Sequence, residues 1–539
     1  MSASPPWPQA LRLCAVFLCC SLPWLTPVAG GPSSSVQPWL FSATCALVLA
    51  AFTGAGGLPM LLGAGAAALG GWTAWRSVEP DPSTLLAGLA LIVVAAAAAS
   101  QRRRDPRFVG VVAAAWLAAG LASTAIALAQ SFGVADALAP FASASPRAEA
   151  FANLRQRNQF GSLCAIALAA LLWGLPRGAR GWRYLAAAVL AVGSAATTSR
   201  VGLLQLLLLG LAALVWADAD RKYRSRLWLV AAVAYVAAAL ALPWLQQVAG
   251  VAAVPIWERV TGLPGCSSRT VLWSNVLHLI AQRPLAGWGW GELDYAHFVT
   301  LYPGERFCDI LDNAHNLPLH LAVELGVPAA VLAMAAAGWW VLRSRPWAEA
   351  EDRRRLAWAV LGLVAAHSAV EYPLWYGPFQ LACGLAIGIL WPRREPDRGS
   401  EHGYAIALPA LLGLAVGYAA WDYQRVSQIY LRPEDRIERY RDDPLAHGRQ
   451  TRLFRSHAQF AELTTAPLTA GNADWTLASS LRLLHHSPEP AVIEKVVESA
   501  VMKGREDLAL WYLARYRAAF PRQHADWANR PRASQAGAV

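Results

Sequence analysis

Hydrophobic residues in this chain fall into long runs, rather than into the short alternating patterns of a soluble domain. Thirteen runs are long and apolar enough to predict membrane-spanning helices, because a helix needs about 20 mostly apolar residues to cross a bilayer. Several runs are rich in alanine and glycine, which favours close packing of helices within a bundle. We therefore predict an all-α polytopic membrane protein with spans at about 11–29, 39–54, 57–75, 84–100, 108–130, 160–175, 183–199, 201–217, 227–246, 317–342, 356–371, 375–391 and 403–421.

Two polar regions divide this pattern into four predicted domains. About nine spans lie within residues 1–247, and about four lie within residues 317–421. Between them, residues 248–316 form a large polar loop. Residues 422–539 have the composition of a soluble helical tail. The tail contains two amphipathic segments around a glycine turn, an arrangement that resembles a tetratricopeptide-like repeat, at 491–503 and 506–520.

The distribution of basic residues sets the predicted orientation. The net charge is +11, but most arginines lie in short links between apolar runs, which is the positive-inside pattern of membrane proteins. The first run resembles a signal peptide without a clean cleavage site, and we interpret it as a retained helix. We predict no nucleic-acid partner, a cytoplasmic N-terminus, and a loop and tail on the outer side. The cytoplasmic links are 101–107, 176–183, 218–226, 343–355 and 392–398.

Two of the eight cysteines form a candidate disulfide. Six cysteines fall in apolar runs and suit small core-facing or lipid-facing positions. Cys266 and Cys308 both lie in the long loop instead, and an oxidising outer compartment would allow a bond that braces it. Because spacing does not establish geometry, the bonded and free states both stay open at this point.

Two polar clusters precede predicted spans on the outer side. The run from Asn153 to Gln159 includes Gln156 and Arg157, and such side chains can bind phosphate oxygens and sugar hydroxyls. Helix capping and snorkelling are the structural alternatives for this run. Arg200 is the lone charge in a run of about thirty apolar or small residues, which makes it a functional candidate. Its alternative is a simple anchor at the membrane interface.

Two further clusters lie in and after the long loop. Arg269 begins an amphipathic segment, and the glycine- and tryptophan-rich stretch 284–291 follows it. Its aromatic faces suit sugars, although interfacial tryptophan is also common. His315 ends the loop after Asp309 and Asp312, two carboxylates that can orient an imidazole for general-base work. A structural histidine is the alternative.

Several other chemistries fit less well. The spacing of Asp309, Asp312 and His315 matches no established site for a divalent ion. Asp218 and Asp220 mimic a metal-binding DxD pair, but they lie beside arginines on the cytoplasmic side, so we interpret them as a solvated link. The chain has neither a phosphate-binding P-loop nor a serine nucleophile elbow. We predict no metal and no cofactor.

Five sequence motifs occur in a fixed order along the chain. They are NLRQRNQ, TSRVG, SRTVLW with RPLAGWGWG, DNAHNLPLHLAVELGVPAA, and EYPLWYGPF. Together they resemble the PglL-type protein O-oligosaccharyltransferases, which are relatives of the O-antigen ligases and Wzy polymerases. The similarity extends over nearly the whole chain, including the tail.

This resemblance implies an enzyme of the bacterial inner membrane. Such an enzyme transfers a preassembled glycan from undecaprenyl pyrophosphate to an acceptor hydroxyl in the periplasm, without ATP, metal or cofactor. In the PglL branch the acceptor is a serine or threonine of a protein such as pilin. A ligase to lipid A core and a Wzy-type polymerase are sibling alternatives. A non-enzymatic carrier fits less well, because the charges lie at the outer membrane edge rather than near its middle.

The resemblance also implies roles for individual residues. His315 is the expected catalytic residue, either as a base toward the acceptor hydroxyl or as a group that orients it. Arg200 and Arg269 are expected to hold the pyrophosphate, because a planar guanidinium matches phosphate oxygens. Attack opposite the leaving pyrophosphate would invert the anomeric centre. The other matching positions tied to activity are Tyr372 and either Gln156 or Gln159.

Overall fold

The computed structural model of the chain describes residues 8–53, 83–103, 105–146, 148–176, 181–216, 218–252, 265–391 and 404–530. These residues form helices, turns and loops with no β-strand among them, which confirms the predicted all-α fold for the described chain. The helices are α1 (Gln9–Leu25), α2 (Val36–Thr53), α3 (Ser83–Arg102), α4 (Pro106–Ser131), α5 (Arg157–Ala169), α6 (Gly181–Ala196), α7 (Arg200–Val215), α8 (Arg221–Val248), α9 (Arg269–Gln282), α10 (Leu293–Val299), α11 (Leu317–Leu325), α12 (Val327–Ser344), α13 (Asp352–Ser368), α14 (Gly377–Leu390), α15 (Tyr404–Ser427), α16 (Pro444–Gly448), α17 (Arg455–Thr465), α18 (Ala473–Leu483), α19 (Pro490–Met502), α20 (Glu506–Ala519) and α21 (Pro521–Ala528). A π-helical turn, Ala170–Gly174, continues α5, and short 3₁₀ turns occur at Ala135–Leu138, Pro346–Ala348, Pro373–Trp375, Gln428–Tyr430, Pro433–Asp435 and Glu438–Tyr440.

Five helical segments in the described part of the chain are long and apolar enough to cross a membrane, judged by length and composition. They are α2, α3, α4, α8 and Val327–Ala348, which includes α12. The shorter helices α1, α7 and α14 are also apolar. These helices agree with a polytopic membrane protein. The predicted span at 57–75 lies outside the described residues, and the count of thirteen spans stays a prediction.

One predicted span is wrong as a single helix. The sequence predicts a continuous span at 317–342, whereas α11 ends at Leu325 and α12 begins at Val327. Gly326 between them has a φ of 92° and a ψ of 154°, a conformation that is essentially restricted to glycine. The hydrophobic run therefore contains a break, and the candidate span starts after it.

The chain divides into two compact units. The described residues of the first are 8–252, 336–391 and 404–420, apart from the gaps given above, and those of the second are 265–335 and 421–530. The units group the chain differently from the predicted domains, since residues 265–316 of the polar loop belong to the same unit as the tail.

Small residues let helices of the first unit approach closely, as their composition predicts. Gly384 and Gly388 of α14 lie against α3. A Cβ added at Gly384 would stand 2.5 Å from the Ile92 carbonyl oxygen, and one at Gly388 would stand 2.3 Å from that of Ala96. A side chain at either position would push the two backbones apart, so the α3–α14 contact depends on these glycines.

The predicted cytoplasmic links of the first unit contain a buried ion-pair network. Asp218 bonds to both Arg224 and Arg355, and Arg224 Nη2 is 2.8 Å from Asp352 Oδ1. The two arginine side chains are only 3% and 5% exposed. Asp218 is therefore not the solvated link that its position in the sequence predicts, because it neutralises two buried guanidinium groups.

The second unit packs loop residues directly against the tail. Phe298 of α10 lies in one hydrophobic cluster with α18, α19 and α20, and its ring stacks on that of Tyr512. Glu292 Oε2 is 2.6 Å from His485 Nδ1. The helices α19 and α20 match the two predicted amphipathic segments, with Gly504 between them at a φ of 68°. Their likeness to a tetratricopeptide repeat stays a prediction.

Candidate active site

His315 lies in a tight turn between the polar loop and α11. Its backbone is left-handed, with a φ of 48°, and its N–H donates to Asn313 Oδ1 at 2.9 Å. Asn316 caps α11 by accepting a backbone N–H of the first turn at 3.0 Å. From α9, the Trp273 indole donates to the Ala314 carbonyl at 3.0 Å. The turn that holds His315 is thus fixed on both sides.

The structure brings Arg269 to His315, although the two are 46 residues apart in sequence. Nη2 of Arg269 is 2.7 Å from Nδ1 of His315. Arg269 is the first residue of α9, which the Ser268 hydroxyl caps. Cys266, just before the cap, forms a disulfide with Cys308, with the two Cα atoms 5.5 Å apart. The cap and the disulfide fix the start of α9, and with it the position of Arg269.

The two carboxylates predicted to orient the imidazole are both solvent-exposed. Asp309 and Asp312 each retain an exposed side chain. Asp312 is close enough for its charge to interact with that of His315. Asp312 therefore interacts with the imidazole through its charge, whereas Arg269 contacts the imidazole nitrogen Nδ1 directly.

A buried pair of ionisable side chains lies on α11 behind the His315 turn. Nε2 of His320 is 3.4 Å from Oε2 of Glu324, and the two side chains are 3% and 1% exposed. Burial raises the pKa of Glu324 to about 8, although the backbone N–H groups of Gly291 and Leu293 lower it. Burial also lowers the pKa of His320 to about 3. Both groups are therefore mainly neutral near pH 7.

The glycine- and tryptophan-rich stretch docks its backbone on the end of α11. Gly287 has a φ of 67°, and a Cβ there would stand 2.3 Å from the Glu324 carbonyl oxygen. A Cβ at Gly326 would stand 2.2 Å from the Leu285 carbonyl oxygen. Glycine at both positions allows this approach. Three backbone hydrogen bonds join the segments: Trp288 N to Val323 O at 2.8 Å, Gly289 N to Glu324 O at 3.0 Å, and Val327 N to Pro284 O at 2.8 Å.

The tryptophans of this stretch pack within the protein. The Trp288 indole donates to the Leu279 carbonyl at 3.0 Å, and the Arg283 guanidinium lies 4.0 Å from its ring centroid. Trp290 is buried and contacts His320 edge-on, with ring centroids 5.6 Å apart. The structure therefore gives these rings packing contacts within the protein, a third possibility beside sugar stacking and an interfacial position.

In the first unit, Arg200 is the first residue of α7 and is exposed. Ser199 caps this helix, and its hydroxyl donates to Asn158 Oδ1 at 2.6 Å. The Asn158 amide in turn donates to Glu371 Oε1 at 3.2 Å. Asn158 thus joins the hairpin that presents Arg200 to the segment that contains Tyr372.

Tyr372 follows the buried Glu371 and belongs to an aromatic cluster. Its ring stacks on Tyr376 at a centroid distance of 5.9 Å and meets Trp375 edge-on at 6.4 Å. The Tyr372 side chain is half-buried. Aromatic groups that are only partly covered suit contact with a sugar face. Glu371 and Asn158 lie inside the predicted polar clusters, although neither was singled out as a site residue.

The two candidate glutamines have different environments. The Gln156 side chain caps α5 by accepting the Gln159 N–H at 2.7 Å. The Gln159 side chain is buried, and its Oε1 has no hydrogen-bond partner among the described residues. A buried acceptor without a partner is costly, so a bound hydroxyl would compensate for it. This difference favours Gln159 as the substrate contact, a choice that spacing left open.

Asn153 and Arg157 have contacts that suit structural roles. The Asn153 amide nitrogen donates to the carbonyl oxygens of Leu25 at 2.7 Å and Phe141 at 2.8 Å, and its oxygen accepts the Ser143 N–H at 2.8 Å. Arg157 lies 3.7 Å from the Glu149 carboxylate, with both side chains partly exposed. We therefore do not retain Asn153 as a sugar-binding residue.

Three candidate arginines share one local geometry. Arg157, Arg200 and Arg269 are each the first residue of a helix, directly after a capping side chain. The positive end of a helix dipole disfavours a cation at that position and favours an anion. A pyrophosphate would gain from the guanidinium and from the helix terminus together. Within the described residues, no group of three or more His, Cys, Asp and Glu side chains could hold a metal ion.

These observations define a class of protein. Its described part is all-helical, it contains several apolar helices, and an arginine and a histidine pair in its polar loop. Residues 185–334 match the O-antigen ligase family, and residues 355–535 match the C-terminal region of the virulence factor membrane-bound polymerases. Together these matches support the O-antigen ligase and PglL-type superfamily that the motifs predict. The first match includes Arg200, Arg269 and His315, and the second includes Tyr372.

A characterised relative adds a short local similarity. A general O-oligosaccharyltransferase of Acinetobacter baylyi (strain ATCC 33305 / BD413 / ADP1) is 26% identical over 130 residues. The similar region is 24% of this chain and covers 22% of that protein's length.

Proposed function

We propose that this protein transfers a preassembled oligosaccharide from undecaprenyl pyrophosphate to a serine or threonine hydroxyl of a periplasmic protein such as pilin. The observation that carries the proposal is the 2.7 Å contact between Arg269 and His315, which places a phosphate-binding type of cation beside an imidazole. Arg200 and Arg269 keep the role that the sequence resemblance implies, as ligands of the pyrophosphate. His315 and Tyr372 act at the reacting centre.

The proposed setting is the bacterial inner membrane. The apolar helices hold the polyprenyl tail in lipid, while the loop and the tail face the periplasm. The reaction uses no metal and inverts the anomeric centre. The positive-inside distribution of arginine links supports this orientation.

The nature of the acceptor separates the main proposal from its alternatives. The similarity to a general O-oligosaccharyltransferase supports transfer of an oligosaccharide to a hydroxyl oxygen, and the PglL-type motifs favour a protein acceptor. The O-antigen ligase match favours, as second candidate, a ligase to lipid A core, and the polymerase match favours a Wzy-type polymerase. In each of these reactions the donor is a lipid-linked glycan, so only the product distinguishes them.

Glycan transfer in cells tests the proposal. Cells that make a lipid-linked glycan and lipopolysaccharide core, and that express a pilin, would receive wild type, His315→Ala or His524→Ala at equal membrane abundance. His524 lies on α21, in the tail, and serves as the matched control. We expect glycosylated pilin with wild type and His524→Ala, and none with His315→Ala. Glycan on lipopolysaccharide instead of pilin would indicate an O-antigen ligase. Equal transfer by His315→Ala and wild type would show that His315 is not required for the reaction.

A further inference from the structure

The contact between Arg269 and His315 defines which ring nitrogen of His315 carries a proton. An arginine guanidinium has only N–H donors and stays protonated in proteins. Nη2 of Arg269 is 2.7 Å from Nδ1 of His315, so Nδ1 must be the acceptor of this hydrogen bond. In a neutral imidazole one nitrogen is the acceptor and the other carries the hydrogen. The neutral ring is therefore the Nε2–H tautomer.

This tautomer is the opposite of the one that a general-base histidine uses. A base that takes a proton at Nε2 needs a free lone pair there, and its Nδ1–H points to a carboxylate or carbonyl. In this structure Nδ1 faces a cation instead. A proton added at Nδ1 would place two donors face to face, so taking up the acceptor's proton there would break the contact with Arg269. Two further groups, Asp312 and His320, interact electrostatically with the ring, and neither changes the donor character of Arg269.

We infer that His315 acts as a hydrogen-bond donor through Nε2–H toward the leaving pyrophosphate, and that Arg269 fixes the tautomer that makes it a donor. The inference rests on the proposed function for the identity of the substrate. In the reaction, the acceptor oxygen forms a bond to the anomeric carbon, and the bond from that carbon to the pyrophosphate oxygen breaks. The electron pair remains on the pyrophosphate, and the acceptor proton leaves to water. His315 stabilises the charge that develops on the departing oxygen, as a donor in an oxyanion hole does.

The placement of His315 suits this role. Its backbone turn is fixed by Asn313, Asn316 and Trp273, and the ring itself is held by its contact with Arg269. A donor that is preorganised costs no rearrangement when charge develops. The adjacent guanidinium also adds positive charge near the ring, which favours binding of an anion there.

Two amide substitutions distinguish a donor from a base. The glutamine amide nitrogen lies as many bonds from Cα as Nε2 of histidine, whereas the asparagine amide nitrogen corresponds to Nδ1. Neither amide can act as a base. Transfer would be measured in membranes with a polyprenyl-pyrophosphate-linked glycan and a pilin, at equal protein abundance. We expect His315→Ala and His315→Asn to lose about 100- to 1000-fold in rate, and His315→Gln to lose only about tenfold.

The tautomer can be measured without any substrate. Full-length protein labelled with ¹⁵N-histidine would be reconstituted in lipid, and the solid-state NMR spectrum of His315→Gln subtracted from that of wild type. We expect the His315 signals of an Nε2–H ring, and their change in Arg269→Gln. An Nδ1–H ring would overturn the inference, and so would a His315→Gln variant as inactive as His315→Ala. A wild type that transfers glycan to no acceptor would refute the proposed function instead, while the spectrum would still decide the tautomer.

Discussion

Gly326 provides the sharpest test of how the His315 region is held together. It lies at the break between α11 and α12, with a φ of 92°. We predict that Gly326→Ala separates the glycine- and tryptophan-rich stretch from the end of α11. The added Cβ would stand 2.2 Å from the Leu285 carbonyl oxygen and 2.6 Å from its carbon. Both are backbone atoms, so a side-chain rotation cannot relieve the clash.

The expected cost follows from what the clash breaks. Three backbone hydrogen bonds join the two segments, and each contributes about 0.5–1.5 kcal/mol. An alanine in this glycine-only conformation adds about 1–3 kcal/mol of strain. We therefore expect Gly326→Ala to destabilise the docked arrangement by about 2.5–7.5 kcal/mol. Because α11 directly follows the turn that holds His315, a shift of this helix should lower transfer activity as well.

Two other glycines make matched controls. Gly291 also has a positive φ, of 77°, but an added Cβ would meet nothing within 4 Å. Gly291→Ala should therefore show strain alone, about 1–2 kcal/mol. Gly338, within α12, has neither a positive φ nor a neighbour within 4 Å, so Gly338→Ala should be neutral or stabilising by about 0.5–1 kcal/mol. The three variants separate the clash from the strain and from helix propensity.

Hydrogen exchange of the purified full chain in detergent reads this contact directly. Peptides that include the Trp288, Gly289 and Val327 amides report whether the three bonds remain closed. A loss of about 3 kcal/mol corresponds to more than about a hundredfold faster exchange. If these amides in Gly326→Ala exchange as slowly as in Gly338→Ala, the docking explanation of the two glycines is refuted.

Three further predictions rest on separate features. Gln156→Ala should lower stability by about 1 kcal/mol through loss of the α5 cap. Gln159→Ala should instead lose glycan transfer at unchanged melting temperature. The reverse pattern would show that the roles of the two glutamines are exchanged. Burial raises the pKa of Glu324 from 4.5 to about 8, so the folded protein favours its neutral form. The contribution of this group to stability is therefore fully present below about pH 4.5 and is lost as pH rises through about 8. Melting temperatures compared between pH 6.5 and 8.5 should fall for wild type but not for Glu324→Gln, and parallel curves would contradict this. The Cys266–Cys308 disulfide joins residues that are 42 positions apart. Replacing both cysteines by serine should lower the free energy of unfolding by about 2–4 kcal/mol in thermal or denaturant unfolding. An unchanged midpoint would show that the bond adds no stability.

The sequence predicted the type of fold because hydrophobic periodicity and charge distribution are local properties. The tail helices α19 and α20 begin and end within a residue of the predicted segments, since their amphipathic pattern and Gly504 are visible in the chain. The break at Gly326 was missed because the residues on both sides of it are apolar. Only its backbone conformation interrupts the helix, and a hydropathy pattern does not report φ.

The candidate site was predictable as a set of residues but not as a set of contacts. Lone arginines beside apolar runs and a histidine at the loop end are visible in sequence. The pairing of Arg269 with His315 depends on the cap at Ser268 and on the direction of α9, which spacing does not give. Likewise, Gln156 and Gln159 are equivalent by composition, and they differ only because one side chain turns back to cap its own helix.

The packing of the tail on the loop changes how a tail deletion should be interpreted. Phe298 of α10 is buried in the tail's hydrophobic cluster, and the Arg515 side chain donates to the Val299 carbonyl at 2.8 Å. The Glu292 side chain is 5% exposed and pairs with His485 of the tail. Deleting the tail would leave that carboxylate without its partner and would expose the apolar Phe298 face to water. Loss of activity after such a deletion would therefore report damage to the loop, so acceptor selection by the tail has to be tested with substitutions on exposed faces of α19 and α20 that leave these contacts intact.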